Sequence, residues 1–297
     1  MCQKIAHKRD GTSSWRYLVA AAALALGACA GGSDDDGQAS ESEPVELTVA
    51  ASADDQRGPG LSDGMTWQWQ LQGEINTSYQ ADVYDIDLFD APSSVVDELH
   101  AGNRIVICYF SAGSYEEWRD DASEFSEADL GEPLDGWEGE RWVDVRSGSL
   151  RSLMERRLDL AVERGCDGVE PDNVTAYNNE TGFEITAADQ LSFNTFLADS
   201  SHERGLLVGL KNDLDQIPDL VSQFDFAVNE ECLEYDECEA YAPFVDAGKP
   251  VFSAEYSEVA VEDPGAICAV AREAGLTTLI LPLDLDDSFR ISCQDHP

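Results

Sequence analysis

Cys166-Asp167-Gly168-Val169-Glu170-Pro171-Asp172-Asn173 runs a short apolar stretch straight into two carboxylates and an amide. That is how a parallel strand ends at the mouth of a barrel, where side chains converge on one site. Phe224-Asp225-Phe226-Ala227-Val228-Asn229-Glu230-Glu231 repeats the plan further along. Two strand-end carboxylates facing one substrate are the usual equipment for cutting a glycosidic bond.

Working outward, short apolar runs recur at 67–71, 83–86, 105–110, 168–170, 207–210, 226–228, 251–254 and 278–281. Most are followed by a helical pattern, the rhythm of a parallel sheet covered by helices. Helices are expected at 93–101, at 150–164 ending on Gly165, at 187–204 ending on Gly205, and at 265–274 ending on Gly275. Eight strands with intervening helices over residues 63–297 predict a single (β/α)8 barrel domain of the α/β class. A doubly wound open sheet is the alternative, and no GxGxxG phosphate loop speaks for it.

The expected strand ends carry Asp85, Asp87, Ser111, Glu170, Asp172, Lys211, Asn229, Glu230, Glu255, Tyr256 and Asp284. So many carboxylates in one mouth repel unless some are protonated, paired with Lys211 or an Arg, or matched by a cationic ligand. Glu170 and Asp172 would share a face of an extended strand, so either could be the working acid. Glu230 and the adjacent Glu231 point to opposite sides, so one of the two faces the mouth. Trp69, Tyr109, Trp118, Trp142 and Tyr256 are candidates for stacking on sugar rings.

The 297 residues carry 60 acidic and 18 basic side chains, a net charge of −42. That excludes nucleic acid as a partner and suits a polycationic one. Adaptation to salt explains the same balance, since beyond the first 29 residues Lys211 and Lys249 are the lysines.

Residues 1–29 read as an export signal: Lys4, Lys8, Arg9 and Arg16 precede an apolar run over 17–25 that is too short to span a bilayer. The run closes on Leu26-Gly27-Ala28-Cys29, which resembles a bacterial lipobox and implies lipidation of Cys29. The expected location is extracytoplasmic, held to the cell envelope by that lipid alone. Residues 30–62, rich in Gly, Ser, Asp and Glu, read as a disordered acidic tether. Of the eight cysteines, six remain after Cys2 and Cys29 are set aside. Outside the cytoplasm they suggest disulfides, with Cys108–Cys166, Cys232–Cys238 and Cys268–Cys293 the expected pairs among fifteen possible connectivities. No CxxC occurs and the four His are scattered, so no metal and no cofactor is expected.

Six motifs carry a family resemblance: Trp67-Gln68-Trp69-Gln70-Leu71, Tyr84-Asp85-Ile86-Asp87-Leu88-Phe89-Asp90, Cys108-Tyr109-Phe110-Ser111-Ala112-Gly113-Ser114, Gly168-Val169-Glu170-Pro171-Asp172-Asn173, Gly209-Leu210-Lys211-Asn212 and Asn229-Glu230-Glu231-Cys232. Together they resemble glycoside hydrolase family 114, the endo-α-1,4-polygalactosaminidases. The resemblance implies a (β/α)8 barrel that cuts α-1,4-linked galactosamine polymers, with Asp172 as nucleophile and Glu230 as acid and base in a retaining reaction. It favours Asp172 over Glu170 and Glu230 over Glu231. Asp85, Asp87, Tyr109, Ser111, Glu170, Asn173, Lys211, Asn229, Glu255, Tyr256 and Asp284 are then expected around the sugar. The partner would be a cationic amino-sugar polysaccharide. Two alternatives stay open, a carbohydrate-binding surface lipoprotein without catalysis and a hydrolase of another amino-sugar polymer.

Overall fold

The computed structural model describes residues 60–256 and 258–296. The expected export signal, Cys29 and the expected tether up to residue 59 lie outside the described residues. Eight parallel strands follow one another round the sheet: β1 (Trp67–Gln70), β2 (Val83–Asp87), β3 (Ile105–Ser111), β7 (Gly168–Asp172), β8 (Leu207–Lys211), β9 (Phe226–Glu230), β10 (Val251–Glu255) and β11 (Thr277–Ile280). They are the eight predicted runs, shifted by one or two residues at their ends. Helices cover them, among them α1 (Ser93–Ala101), α2 (Gly148–Arg164), α3 (Ala187–Glu203) and α7 (Pro264–Glu273). Shorter helices α4 (Ile217–Leu220), α5 (Ala242–Asp246) and α6 (Glu258–Glu262) fill the later connections. Gly165 closes α2 at φ 83°, a left-handed turn that costs glycine little. The architecture is a (β/α)8 barrel.

Strand residues alternate between two apolar layers, as the period of two demands. Trp67, Trp69, Val83, Ile105, Ile107, Leu207, Phe226, Val228, Phe252, Ala254 and Leu279 fill the inside of the barrel. Their neighbours, such as Tyr84, Ile86, Val106, Phe110, Val169, Val208 and Leu210, pack outward with helix residues such as Leu153, Leu158, Phe193 and Leu197. Trp67 stacks on Phe252 at 5.1 Å between ring centroids, joining β1 to β10 across the interior.

Seven ladders join the eight strands. Between β11 and β1 the chain is closed differently. A short antiparallel strand, β12 (Ile291–Ser292), follows β11. The segment before it crosses the seam, where the Leu285 carbonyl accepts from the Leu71 and Gln72 amides. Arg290 there donates to Gln68 Oε1 at 2.6 Å and to the Trp67 carbonyl at 2.9 Å.

Between β3 and α2 the sequence reading expected only connection. The chain instead builds a small antiparallel sheet of β4 (Ser114–Glu116), β5 (Leu130–Pro133) and β6 (Glu140–Val143), in the order β4-β6-β5. Its strands are short, and Leu130-Gly131-Glu132-Pro133 has neither an apolar alternation nor a strand-forming composition.

The disulfides are Cys108–Cys166, Cys232–Cys238 and Cys268–Cys293, as expected. The first ties β3 to the residue entering β7, and the second closes the loop that leaves β9.

Candidate active site

The inward parity that buries Leu207, Phe226 and Gly168 also delivers Lys211, Glu230 and Asp172, each the last residue of its strand. Each is followed at once by a residue with positive φ: Asn173 at 62°, Asn212 at 52° and Glu231 at 60°. The left-handed step turns the chain away and leaves the three side chains at the top of the barrel.

Lys211 is the hub. Its Nζ lies 3.0 Å from Glu170 Oε1, 3.2 Å from Asp172 Oδ1 and 3.2 Å from Glu230 Oε2. The Trp69 ring lies beneath, its centroid 4.8 Å from the ammonium. Burial alone would strip the lysine of its proton, but Asp172, Glu170 and Glu230 outweigh it and hold the ammonium well above the usual lysine range.

Asp172 is also buried, which would raise it; Lys211 and the Asn173 amide prevail and keep the carboxyl below its ordinary value. The Asn173 N–H donates to Asp172 Oδ1 at 2.7 Å, and the Tyr109 hydroxyl donates to Oδ2 at 3.2 Å. Burial, and then Asp172 itself, push the Tyr109 phenol well up, so it stays a donor. Glu230 receives the Tyr256 hydroxyl on Oε1 at 2.8 Å, and its own amide donates to Asn212 Oδ1 at 3.0 Å. Glu170, fully buried, is raised by that burial despite Lys211. It faces Asp85, whose carboxyl burial and then Glu170 drive well above its usual range.

Glu170 and Asp172 do share a face. Asp172 stands one inward position closer to the mouth. The structure corrects four of the expected sugar contacts. Asn229 and Glu255 have the opposite parity and face away from the barrel interior. Asn229 donates to the Tyr241 hydroxyl and accepts from the Cys232 amide. Glu255 accepts from the Leu233 amide and is pushed up to about 7, chiefly by burial. Ser111 and Asn173 are buried and bonded to each other and to Ser114 behind Asp172. Asp87 reaches the site but is gripped by Arg119, at 2.7 and 2.9 Å.

A cleft of about 480 Å³ opens beside Tyr109, lined also by Asp87, Asp90, Trp118, Arg119, Trp137, Leu71 and Asp284. Trp118 is 46% exposed, poised as a stacking surface, whereas Trp142 is buried in the outer core and cannot serve as one. Trp137, Arg119 and Asp90 went unread in the sequence because the first two belong to the insertion around β4–β6, which has no strand-end signature. Among the described residues no cluster of three His, Cys, Asp or Glu side chains is spaced to hold a metal ion.

Gly113 has no room for a side chain: a Cβ there would sit 1.8 Å from the Asn173 carbonyl oxygen. Gly113→Ala must push Asn173 off Asp172. Thermal melting should show a loss of about 1–3 kcal/mol, the usual cost of overpacking, together with a fall in kcat.

The model of glycoside-hydrolase family GH114 matches residues 46–296. Among solved structures, Aspergillus fumigatus Ega3 in complex with galactosamine is 41% identical with a TM-score of 0.76, over 80% of this chain and 98% of that one. The glycoside hydrolase domain of PelA from Pseudomonas aeruginosa is 13% identical with a TM-score of 0.62, over 76% of this chain and 98% of that one, and shares the fold. No curated protein sequence matches the chain.

Proposed function

From the premise that this chain belongs to glycoside-hydrolase family GH114 and is a glycoside hydrolase, we propose that it is an endo-acting enzyme on α-1,4-linked galactosamine polymers, with Asp172 as nucleophile and Glu230 as acid and base. The observation that carries the reading is the pair of carboxylates on one ammonium. Asp172 Oδ1 and Glu230 Oε2 each lie 3.2 Å from Lys211 Nζ, so they are no more than about 6.4 Å apart. Retaining glycosidases place their carboxyls about 5–5.5 Å apart, and inverting ones about 6.5–9.5 Å to admit a water between them. That bound admits the retaining spacing.

In the first step an oxygen of Asp172 forms a bond to the anomeric carbon, the glycosidic C–O bond breaks, and Glu230 gives its proton to the departing oxygen. Forming the ester removes the charge of Asp172. In the second step the Glu230 carboxylate takes a proton from the water that attacks the anomeric carbon, and the ester bond to Asp172 breaks. Tyr109 and the Asn173 amide hold Asp172 in line, and Tyr256 does the same for Glu230.

The substrate class is supported by the likeness to Ega3, bound to galactosamine, and by charge. Protonated amines suit a chain of net charge −42 whose cleft presents the carboxylates of Asp90 and Asp284. The test is incubation of the full chain with de-N-acetylated α-1,4-galactosamine polymer, with product size read by mass spectrometry. Short oligomers support the reading; retained polymer that is bound and uncut refutes it in favour of a binding lipoprotein. The anchor is proposed with it: Cys29 carries the lipid, and Cys29→Ser should move the chain from the detergent phase to the aqueous phase of a detergent partition.

A further inference from the structure

Behind Asp172 lies a buried carboxyl for which the reaction has no use. Glu140 of β6 is 2% exposed, and the antiparallel register sets it directly opposite Glu116 of β4. Like charges facing each other across a ladder destabilise it, and a buried carboxyl adds its own desolvation cost. Arg119 relieves only Glu116, donating to both its oxygens at 2.9 Å. Glu140 has instead the Ser114 hydroxyl, which donates to Oε2 at 2.9 Å; Oε1 has no hydrogen-bond partner.

From Ser114 the hydrogen bonds continue to the reaction centre. Ser111 Oγ lies 2.6 Å from Ser114 Oγ, Asn173 Nδ2 donates to Ser111 Oγ at 2.9 Å and to Ser114 Oγ at 3.3 Å, and the Asn173 N–H reaches Asp172 Oδ1 at 2.7 Å. Hydroxyl chains have a direction. While Ser114 gives its proton to Glu140, its oxygen is free to accept from Ser111 and Asn173, and Ser111 in turn accepts from Asn173. A neutral Glu140 that donates to Ser114 reverses the first link and sets the hydroxyls against the Asn173 amide.

We propose that Glu140 is a positioning residue for Asp172: its carboxylate sets the direction of the Ser114–Ser111–Asn173 chain and so keeps the Asn173 backbone N–H aimed at the nucleophile. The proposal rests on the assignment of Asp172 above. It explains why a buried carboxyl stands where an apolar residue would cost less. Glu140 is faced by Glu116 of β4, by Tyr109 of β3 and by Asp172 of β7. Burial, then Glu116, push it up to about 7. The carboxylate, and with it the ordered chain, is present above that pH and lost below it.

The experiment compares the full chain with Glu140→Gln, Ser114→Ala, their double variant and Asp172→Asn. It measures kcat and KM on a galactosamine oligosaccharide of defined length from about pH 5 to 9. Each single variant should lower kcat about tenfold, the scale of a disturbed attack geometry, with KM changed less than about twofold. The double variant should be no worse than the poorer single one, as for links of one chain. Wild-type kcat should fall as the pH drops through about 7, and Glu140→Gln should lack that step. Additive losses, a change confined to KM, or a step that survives in Glu140→Gln would reduce Glu140 to a packing residue. Should Glu140→Gln not fold, a Ser114→Ala chain with wild-type kcat and pH profile overturns the proposal by itself. Turnover by Asp172→Asn would sink the nucleophile instead, whatever Glu140 does.

Discussion

An Asp172→Asn chain is expected to lose about 10⁴-fold or more in kcat, the scale seen when a covalent nucleophile is removed, while melting close to the wild type. Asn keeps the shape: with its carbonyl oxygen in the Oδ1 place it accepts from the Asn173 amide, and its NH2 group then donates to the Tyr109 hydroxyl oxygen. It carries no charge to attack the anomeric carbon. Lys211 keeps Glu170 and Glu230 as partners, so the buried ammonium is not stranded. Glu230→Gln differs in kind. General acid catalysis contributes about 10²–10⁴-fold, and an activated leaving group that needs no proton should recover the first step in Glu230→Gln and not in Asp172→Asn. If both variants respond alike to the leaving group, the division of roles between the two carboxyls is wrong. The anomeric configuration of the first product, read by NMR, is expected to match that of the substrate.

Lys211→Met should be the most damaging substitution for the fold. The methionine fills a similar volume, but Glu170, Asp172 and Glu230 are left buried without their cation. Breaking a buried ion pair from one side costs about 3–5 kcal/mol. The pH dependence has a definite sign. In the wild type, Asp172 is held below its ordinary value, so it stabilises above the unfolded pKa and that contribution is lost as the pH falls through the folded one. Without Lys211 only the Asn173 amide is left to oppose burial at Asp172, and the Asp172 and Glu170 carboxyls move up. Such groups stabilise below the unfolded pKa, and the contribution is lost as the pH rises through the folded one. The deficit against wild type should therefore be largest at neutral and alkaline pH and shrink toward about pH 4, as thermal melts across pH will show. A variant that melts with the wild type at neutral pH would mean that the three carboxyls are not held by this lysine.

All eight barrel strands were legible because each is a short apolar run with a polar end, and parallel strands buried on both faces have no other way to read. The central pair was legible for the same reason. What failed was finer. Asn229 and Glu255 were read as facing the mouth by proximity to a strand end, although counting by twos from Phe226 and Phe252 sends them outward. Ser111 and Asn173 have the right place and the wrong task, since only the fold reveals that Gly113 and Ser114 return to cover them. The β4–β6 insertion, which supplies Glu140 and Glu116, was invisible because antiparallel strands of only three or four residues of mixed character are too short to carry a periodic signal. The closure of the barrel was likewise unreadable, since it depends on Arg290 and Leu285 meeting residues more than two hundred positions away in the chain.

That closure has a bearing on how the molecule can yield. A ring stitched by seven ladders and one clasp has a designated place to open, and in this ring the clasp joins β11 to β1. β7, β8 and β9, the strands that end in Asp172, Lys211 and Glu230, occupy the fourth, fifth and sixth places, on the far side of the circle. Fraying at the clasp would bare two strand edges while the arc that carries the chemistry kept its spacing, so the barrel can breathe at one pole and stay rigid at the other.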